Sequence, residues 1–247
     1  MIRLVRASKP SYLSEDKVTE LTKEFIEKAT NVWNHDEIKT PLLKSSYYKC
    51  AYCECFIHEE SKYMEVEHFE DKHHNPNKVV EWENLLPSCK KCNGSKSTHD
   101  VLSEPIVNPY IENPKDHLAF KLYRLKGITE KGKNSIIVNN LNDHERMVQV
   151  RFDIGEKIQE LLSVAEDQFE QYKSKRTTIW QNKLINTMKG LLNECLPQAQ
   201  YSAISSTVTL SDDIFKNIKQ GMEDEGLWNE ELEQKLFFAS QIQLSYL

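Results

Sequence analysis

Two Cys-x2-Cys pairs, Cys50/Cys53 and Cys89/Cys92, stand 35 residues apart, and they limit the folds open to this chain more than any other feature. Each pair sets two thiolates on one tight turn, and two pairs close a tetrahedral four-sulfur zinc site once the chain between them returns on itself. Residue 50 must therefore come to lie beside residue 92. The opening residues, MIRLVRASKP, contain no apolar signal core, and in such a chain paired CxxC motifs indicate zinc rather than disulfides. Structural zinc is expected on Cys50, Cys53, Cys89 and Cys92. Cys55 reads as a neighbouring reduced thiol and Cys195 as a small core residue.

The closed loop carries Val66-Glu67-His68-Phe69 and Trp82-Glu83-Asn84-Leu85-Leu86-Pro87, and Asn93 follows the fourth cysteine directly. Hydrolysis of a phosphodiester needs a water nucleophile, a base for its proton and a cation for the developing charge. His68 suits the base, because an imidazole accepts a proton near neutrality. Glu67 and Asn93 offer hard oxygen ligands, suited to Mg2+ or Mn2+ and not to thiolate-bound zinc. The runs CAYCE (50–54), VEHF (66–69) and WENLLPSCKKCNGSK (82–96) resemble the HNH endonucleases, in the version whose ββα-metal motif is held by a four-cysteine zinc. More narrowly, they are similar to the PtuB-type HNH proteins of Septu and retron-linked antiphage systems. The resemblance is dense over about residues 47 to 110 and thin elsewhere. It implies Glu67 as metal ligand, His68 as general base, Asn93 as second metal ligand, and Asn84 as a brace whose side-chain amide bonds the backbone of the loop carrying the base. Read from the residues alone, Asn84 is equally a capping or turn asparagine. The chain departs from the family pattern after VEHF, where relatives often carry a basic Arg-Pro-Lys stretch and this sequence has Glu70-Asp71-Lys72, which bears on substrate contacts at that turn.

Adjacent residues on a regular strand point to opposite faces, so Glu67 and His68 reach one phosphate only if the strand ends or bulges there. An irregular backbone is expected at this dipeptide. His73 and His74 sit in a polar turn with Asn75, Pro76 and Asn77 and read as solvated. His35, His58, His99, His117 and His144 have no partner spacing that singles them out.

The net charge of −6 is unusual for an enzyme of nucleic acids, and it is unevenly distributed. Residues 143–247 carry 11 basic and 17 acidic side chains, whereas residues 1–142 balance at 21 and 21. Acidic surface repels phosphate, so nucleic-acid contact is expected in the zinc half, where Lys72, Lys78, Lys90, Lys91 and Lys96 cluster. Of these, Lys90, Lys91 and Lys96 are the candidate nucleic-acid-binding residues. A weak intrinsic grip on duplex follows. No stretch approaches the roughly 18 apolar residues of a membrane span, and a reducing cytoplasm fits the cysteine usage.

Hydrophobic spacing predicts a helix from Ser14 to about Trp33, a break at Pro41, knuckle and strand over 47–69, a return over 78–87, and a zinc turn with a short helix over 88–102. Glu104 to Pro114 reads as an extended loop, and Leu118–Leu125 with Ser135–Val138 as a two-stranded ribbon around Gly127 and Gly132. Long helices over 143–173 and on to Leu196, then shorter ones near 211–222 and 229–245, complete the chain. The fold class is α+β: a ββα-metal core with structural zinc and a mainly helical C-terminal region. The organisation expected is an N-terminal segment and helix (1–46), an HNH nuclease domain with its ribbon (47–142) and a helical domain (143–247). The resemblance implies an antiphage endonuclease acting with an ATPase of the PtuA type, alongside a retron reverse transcriptase and its noncoding RNA in some systems, with DNA the favoured substrate. An RNase of the same fold, acting on tRNA for example, and a zinc-ribbon binding module that cuts nothing are the competing readings.

Overall fold

The computed structural model describes residues 1–59 and 62–247. The stretch read as knuckle and strand includes residues 60 and 61, which lie outside the described residues. The architecture is α+β: helices and two small sheets, divided into one unit of Met1–Leu118 with Lys126–Asn142 and a second of Ala119–Leu125 with Asp143–Leu247.

In the first unit, helix α1 (Glu15–Lys28) starts where the Ser14 hydroxyl accepts from Lys17 N, with Glu15 and Asp16 in its first turn. It ends earlier than its apolar spacing suggests, because Ala29 turns left-handed at φ 54° and donates to Phe25 O. Trp33 is thereby released into a loop. Helix α2 (Asp36–Ser45) runs through Pro41 rather than breaking there. The lost backbone bond would have gone to the carbonyl of exposed Glu37, and the complete burial of Ile38 and Leu42 outweighs the loss.

Helix α2 lies against a three-stranded antiparallel sheet, β1 (His58–Glu59), β2 (Lys62–His68) and β3 (Leu85–Cys89), and α3 (Lys90–Lys96) follows β3 without a loop and packs on β2. Leu85, Leu86, Val79, Val80 and Trp82 form the core beneath. The Arg6 guanidinium donates to the carbonyls of Trp82 (2.7 Å), Leu85 (2.8 Å) and Glu83 (3.0 Å), and the Trp82 indole donates to Ala7 O. The N-terminal segment thus fastens the turn that carries Asn84.

The ribbon forms from β4 (Leu118–Lys121) and β5 (Arg124–Gly127), not from Ser135–Val138, which lie in α4 (Glu130–Val138). The reversal is made by Leu122 and Tyr123, both left-handed at φ 46° and 62°, a two-residue hairpin geometry that Asn-Gly or Asp-Gly would ordinarily signal. Thr129 caps α4 by accepting from Gly132 N at 3.2 Å. Gly132 is a contact glycine within this helix, since a Cβ there would lie 2.0 Å from the His117 carbonyl oxygen.

The second unit is helical: α5 (Gln149–Lys175), α6 (Thr178–Asn193), α7 (Ser202–Ser211), α8 (Asp213–Asp224) and α9 (Glu230–Ile242), with β6 (Ser245–Tyr246) pairing parallel to Ala119 and Phe120. Its core joins Ile158, Leu162, Leu184, Met188, Leu191, Phe215, Ile218 and Met222. Helix α7 is buried yet rich in hydroxyls, and these are satisfied within the bundle. Thr207 donates to Ala203 O and accepts from Leu244 N, and Ser206 donates to Cys195 O. Cys195 is a buried core thiol. No described helix is long and apolar enough to cross a membrane. Replacing Leu162, fully buried in this core, by alanine should destabilise the protein by about 2–5 kcal/mol in chemical denaturation and leave zinc content unchanged.

Candidate functional site

The first cysteine pair sits on a turn closed by Glu54 N to Cys50 O (3.0 Å) and Cys50 N to Cys55 O (2.8 Å). Glu54 is left-handed at φ 65°, and its carboxylate is tied to the buried ammonium of Lys49 at 3.2 Å. Ala51 N donates to Pro87 O at 2.9 Å, which joins this turn to β3. The second pair exists because β3 runs directly into α3: Cys89 is the helix cap, its Sγ accepting from Cys92 N at 3.4 Å. The four sulfurs of Cys50, Cys53, Cys89 and Cys92 lie within 4.8 Å of one another, with Cys53 and Cys89 3.8 Å apart. Tetrahedral thiolates around zinc at 2.3 Å stand about 3.8 Å apart, so this set can hold a zinc ion. Cys55 Sγ lies 3.4 Å from Cys53 Sγ, a fifth sulfur beside the four.

The sheet fixes what faces what. Strand β2 pairs with β3 in unbroken register, Glu65 opposite Ser88, Glu67 opposite Leu86 and His68 opposite Leu85. The irregular backbone expected at Glu67-His68 is absent: the dipeptide is regularly paired, and the strand ends immediately after it. Alternation therefore governs, sending Glu65 and Glu67 towards α3 and His68 the other way.

On the α3 side, two polar pairs stand next to each other. Asn93 Nδ2 donates to Glu65 Oε2 at 2.7 Å, and the Lys96 ammonium lies 2.7 Å from Glu67 Oε1 while donating to His68 O at 2.9 Å. Lys96 is 2 % exposed, so it is the internal counter-ion of Glu67 and not a surface anchor for phosphate. Its place one turn beyond Cys92 aims it at the sheet. The Lys96–Glu67 contact has ion-pair distance but not hydrogen-bond alignment, which leaves Glu67 Oε1 a buried oxygen without a hydrogen bond. Burial pushes the Glu67 carboxyl up to about 7, against the opposing charge of Lys96. Glu67 and Asn93 supply hard oxygen atoms of the kind Mg2+ or Mn2+ prefers, and the Glu67 oxygen is held by the Lys96 ammonium.

His68 is 4 % exposed. Its Nε2 lies 2.9 Å from Val79 O, and its ring makes a T-shaped contact with Trp33 at 4.6 Å between centroids. A carbonyl only accepts, so Nε2 carries the proton and Nδ1 keeps its lone pair. Burial, with the positive charge of Lys72 next, lowers the imidazole to about 4. The connecting loop is pinned by Asn84: Oδ1 accepts from Glu70 N (2.7 Å), Nδ2 donates to Glu70 O (3.0 Å) and Lys78 O (3.2 Å), and the Asn84 carbonyl accepts from Phe69 N (2.9 Å).

The acidic residues that follow Phe69 are consumed internally. Glu70 pairs with Lys78 at 2.7 Å, and Asp71 accepts from the amides of His73 and His74. The His73 and His74 side chains are exposed on this loop. Lys72 stands 5.2 Å over the Trp33 ring, and Lys90 and Lys91 are exposed at the start of α3. Sequence reasoning missed Glu65 and Trp33. The i,i+2 spacing of Glu65 and Glu67 was the available signal for the first, and nothing in the sequence pointed to the second.

Comparison with known proteins decides the family. The chain is 42 % identical to the Septu protein PtuB of Bacillus thuringiensis over 94 % of its own length and 90 % of that protein's. It belongs to the PtuB family of Septu proteins. A second PtuB, from Bacillus mycoides (strain KBAB4), is 27 % identical over 59 % of this chain and 64 % of its own. No family model and no solved structure matches the chain.

Asn84→Ala strands part-buried loop groups and should cost about 1–3 kcal/mol in unfolding free energy, with zinc content retained. The His68 imidazole should show an NMR titration midpoint near 4, and a midpoint between 6 and 7 would contradict the burial described. Its folded value lies below the ordinary 6.5, so the stability tied to neutral His68 is whole above 6.5 and is lost as pH falls towards 4.

Proposed function

We propose that this chain is a metal-dependent HNH endonuclease that hydrolyses nucleic-acid phosphodiester bonds, DNA by preference, as an effector of antiphage defence. The observation that carries the reading is His68: a neutral imidazole at the end of β2, with Nε2–H committed to Val79 O and Nδ1 bonded to no described residue, next to the loop that Asn84 braces. The β2–β3–α3 arrangement with its four-cysteine zinc is then the ββα-metal core. Glu67 and Asn93 would hold Mg2+ or Mn2+, which supplies positive charge to the phosphate and the leaving oxygen. His68 Nδ1 takes the proton of the attacking water. A bound phosphate raises the imidazole from about 4 towards its working range, since a nearby anion favours the charged ring. Glu67 and His68 are the last side chains on their respective faces of β2, so both reach one phosphate only at the strand end. Asn84 keeps the loop from drifting away from that position.

Lys90, Lys91 and Lys72 are the phosphate-facing cations of this reading, and the acidic helical region, 143–247, and the N-terminal segment are the docking surfaces for an ATPase of the PtuA type. A retron reverse transcriptase with its noncoding RNA is a further partner in systems that carry one. A zinc-ribbon module that cuts nothing draws support from the burial of His68 beneath Trp33 and the internal pairing of Glu67. An RNase would use the same groups.

The test is cleavage of labelled DNA and bulk tRNA with Mg2+ or Mn2+, with and without the ATPase, comparing the wild-type chain with His68→Ala. The variant should retain zinc and lose about 10²–10⁴-fold in rate. The polymer cut names the substrate. Equal behaviour of the two chains would leave the zinc-ribbon module as the account.

A further inference from the structure

We infer that Glu65 is a positioning residue for Asn93, holding its amide so that the oxygen, and not the nitrogen, faces the candidate metal site. The inference rests on the nuclease reading and extends it to a residue outside the Glu67, His68, Asn84 and Asn93 set. An asparagine amide is symmetric in shape and opposite in chemistry at its two ends: the oxygen ligates a cation, and the NH2 group repels one. A site that uses asparagine must therefore fix which end points inward. Here Asn93 Nδ2 donates to Glu65 Oε2 at 2.7 Å. A carboxylate only accepts, so the nitrogen is committed to Glu65 and Oδ1 is left as the amide's outward acceptor.

The sheet makes this arrangement a rigid one. Glu65 and Glu67 are two residues apart on β2 and share the face that meets α3. Asn93 and Lys96 are three apart on α3 and share the face that meets β2, and each takes one of the two acids. Cys92, next to Asn93, is one of the four clustered cysteines, so the helix position is set by the same sulfurs. Glu65 thus acts on Asn93 as a carboxylate acts on a ligating histidine, fixing which atom is presented and raising its basicity.

Mn2+ binding to the full-length, zinc-loaded chain, read by electron paramagnetic resonance of the free ion, tests this for wild type, Glu65→Ala and Glu65→Gln. Glu65→Ala should weaken Mn2+ binding about 10–100-fold with zinc content and thermal midpoint retained. Glu65→Gln keeps an oxygen that accepts from Asn93 Nδ2 and should stay within about 3-fold of wild type, because one neutral acceptor preserves most of the hydrogen bond. Equal loss in both variants would overturn the inference and make Glu65 a ligand or a bare charge, and no loss in Glu65→Ala would also overturn it. In either case His68-dependent cleavage by the wild-type chain would leave the nuclease reading standing. Mn2+ binding that follows the expected pattern without His68-dependent cleavage would refute the nuclease reading alone.

Discussion

The approach of four thiols to within 4.8 Å is the constraint on which the rest of the first unit depends. A three-stranded sheet with a two-residue edge strand and a seven-residue helix are each marginal in isolation. Joining Cys50 and Cys53 to Cys89 and Cys92 fixes the knuckle turn against the β3–α3 junction, and the Ala51–Pro87 hydrogen bond lies between them. Structural zinc contributes on the order of 10–16 kcal/mol in small domains, comparable to the whole net stability of a typical domain.

Strand alternation then distributes the chemistry. The face of β2 towards α3 carries two carboxylates, each met by a side chain of the helix, and the opposite face carries an imidazole under an indole. Burial acts on both faces in opposite senses, lifting Glu67 and lowering His68, so each is biased to its neutral form. In the nuclease we propose, charge would re-enter the site with a cation on one side and a phosphate on the other, and the cation would have to displace the pairing of Glu67 with Lys96.

Much of this was legible in the sequence because it was written in spacing. The cysteine pairs located the zinc cluster, the apolar stripes located α5, α6, α8 and α9, and the contrast between polar loop and apolar strand located β2 and β3. Other features were hidden for physical reasons. The β4–β5 reversal uses Leu122 and Tyr123 in a conformation that glycine or asparagine normally announces. Helix α7 is buried through small hydroxyl side chains that satisfy their own hydrogen bonds, so it lacks an apolar stripe. Pro41 is tolerated because tertiary burial of Ile38 and Leu42 outweighs one missing hydrogen bond. The roles of Glu65, Lys96 and Trp33 depend on what the folded chain sets beside them.

Amide hydrogen exchange on the chain with its metal bound and after its removal by a chelator tests the dependence on the thiol cluster most directly. Metal removal should deprotect β2, β3 and α3, residues 62–68 and 85–96, while amides in α5, α6 and α8 keep their protection. Unchanged protection across 85–96 after complete metal loss would contradict this dependence, since the sheet and helix would then hold the site without the thiolate cluster.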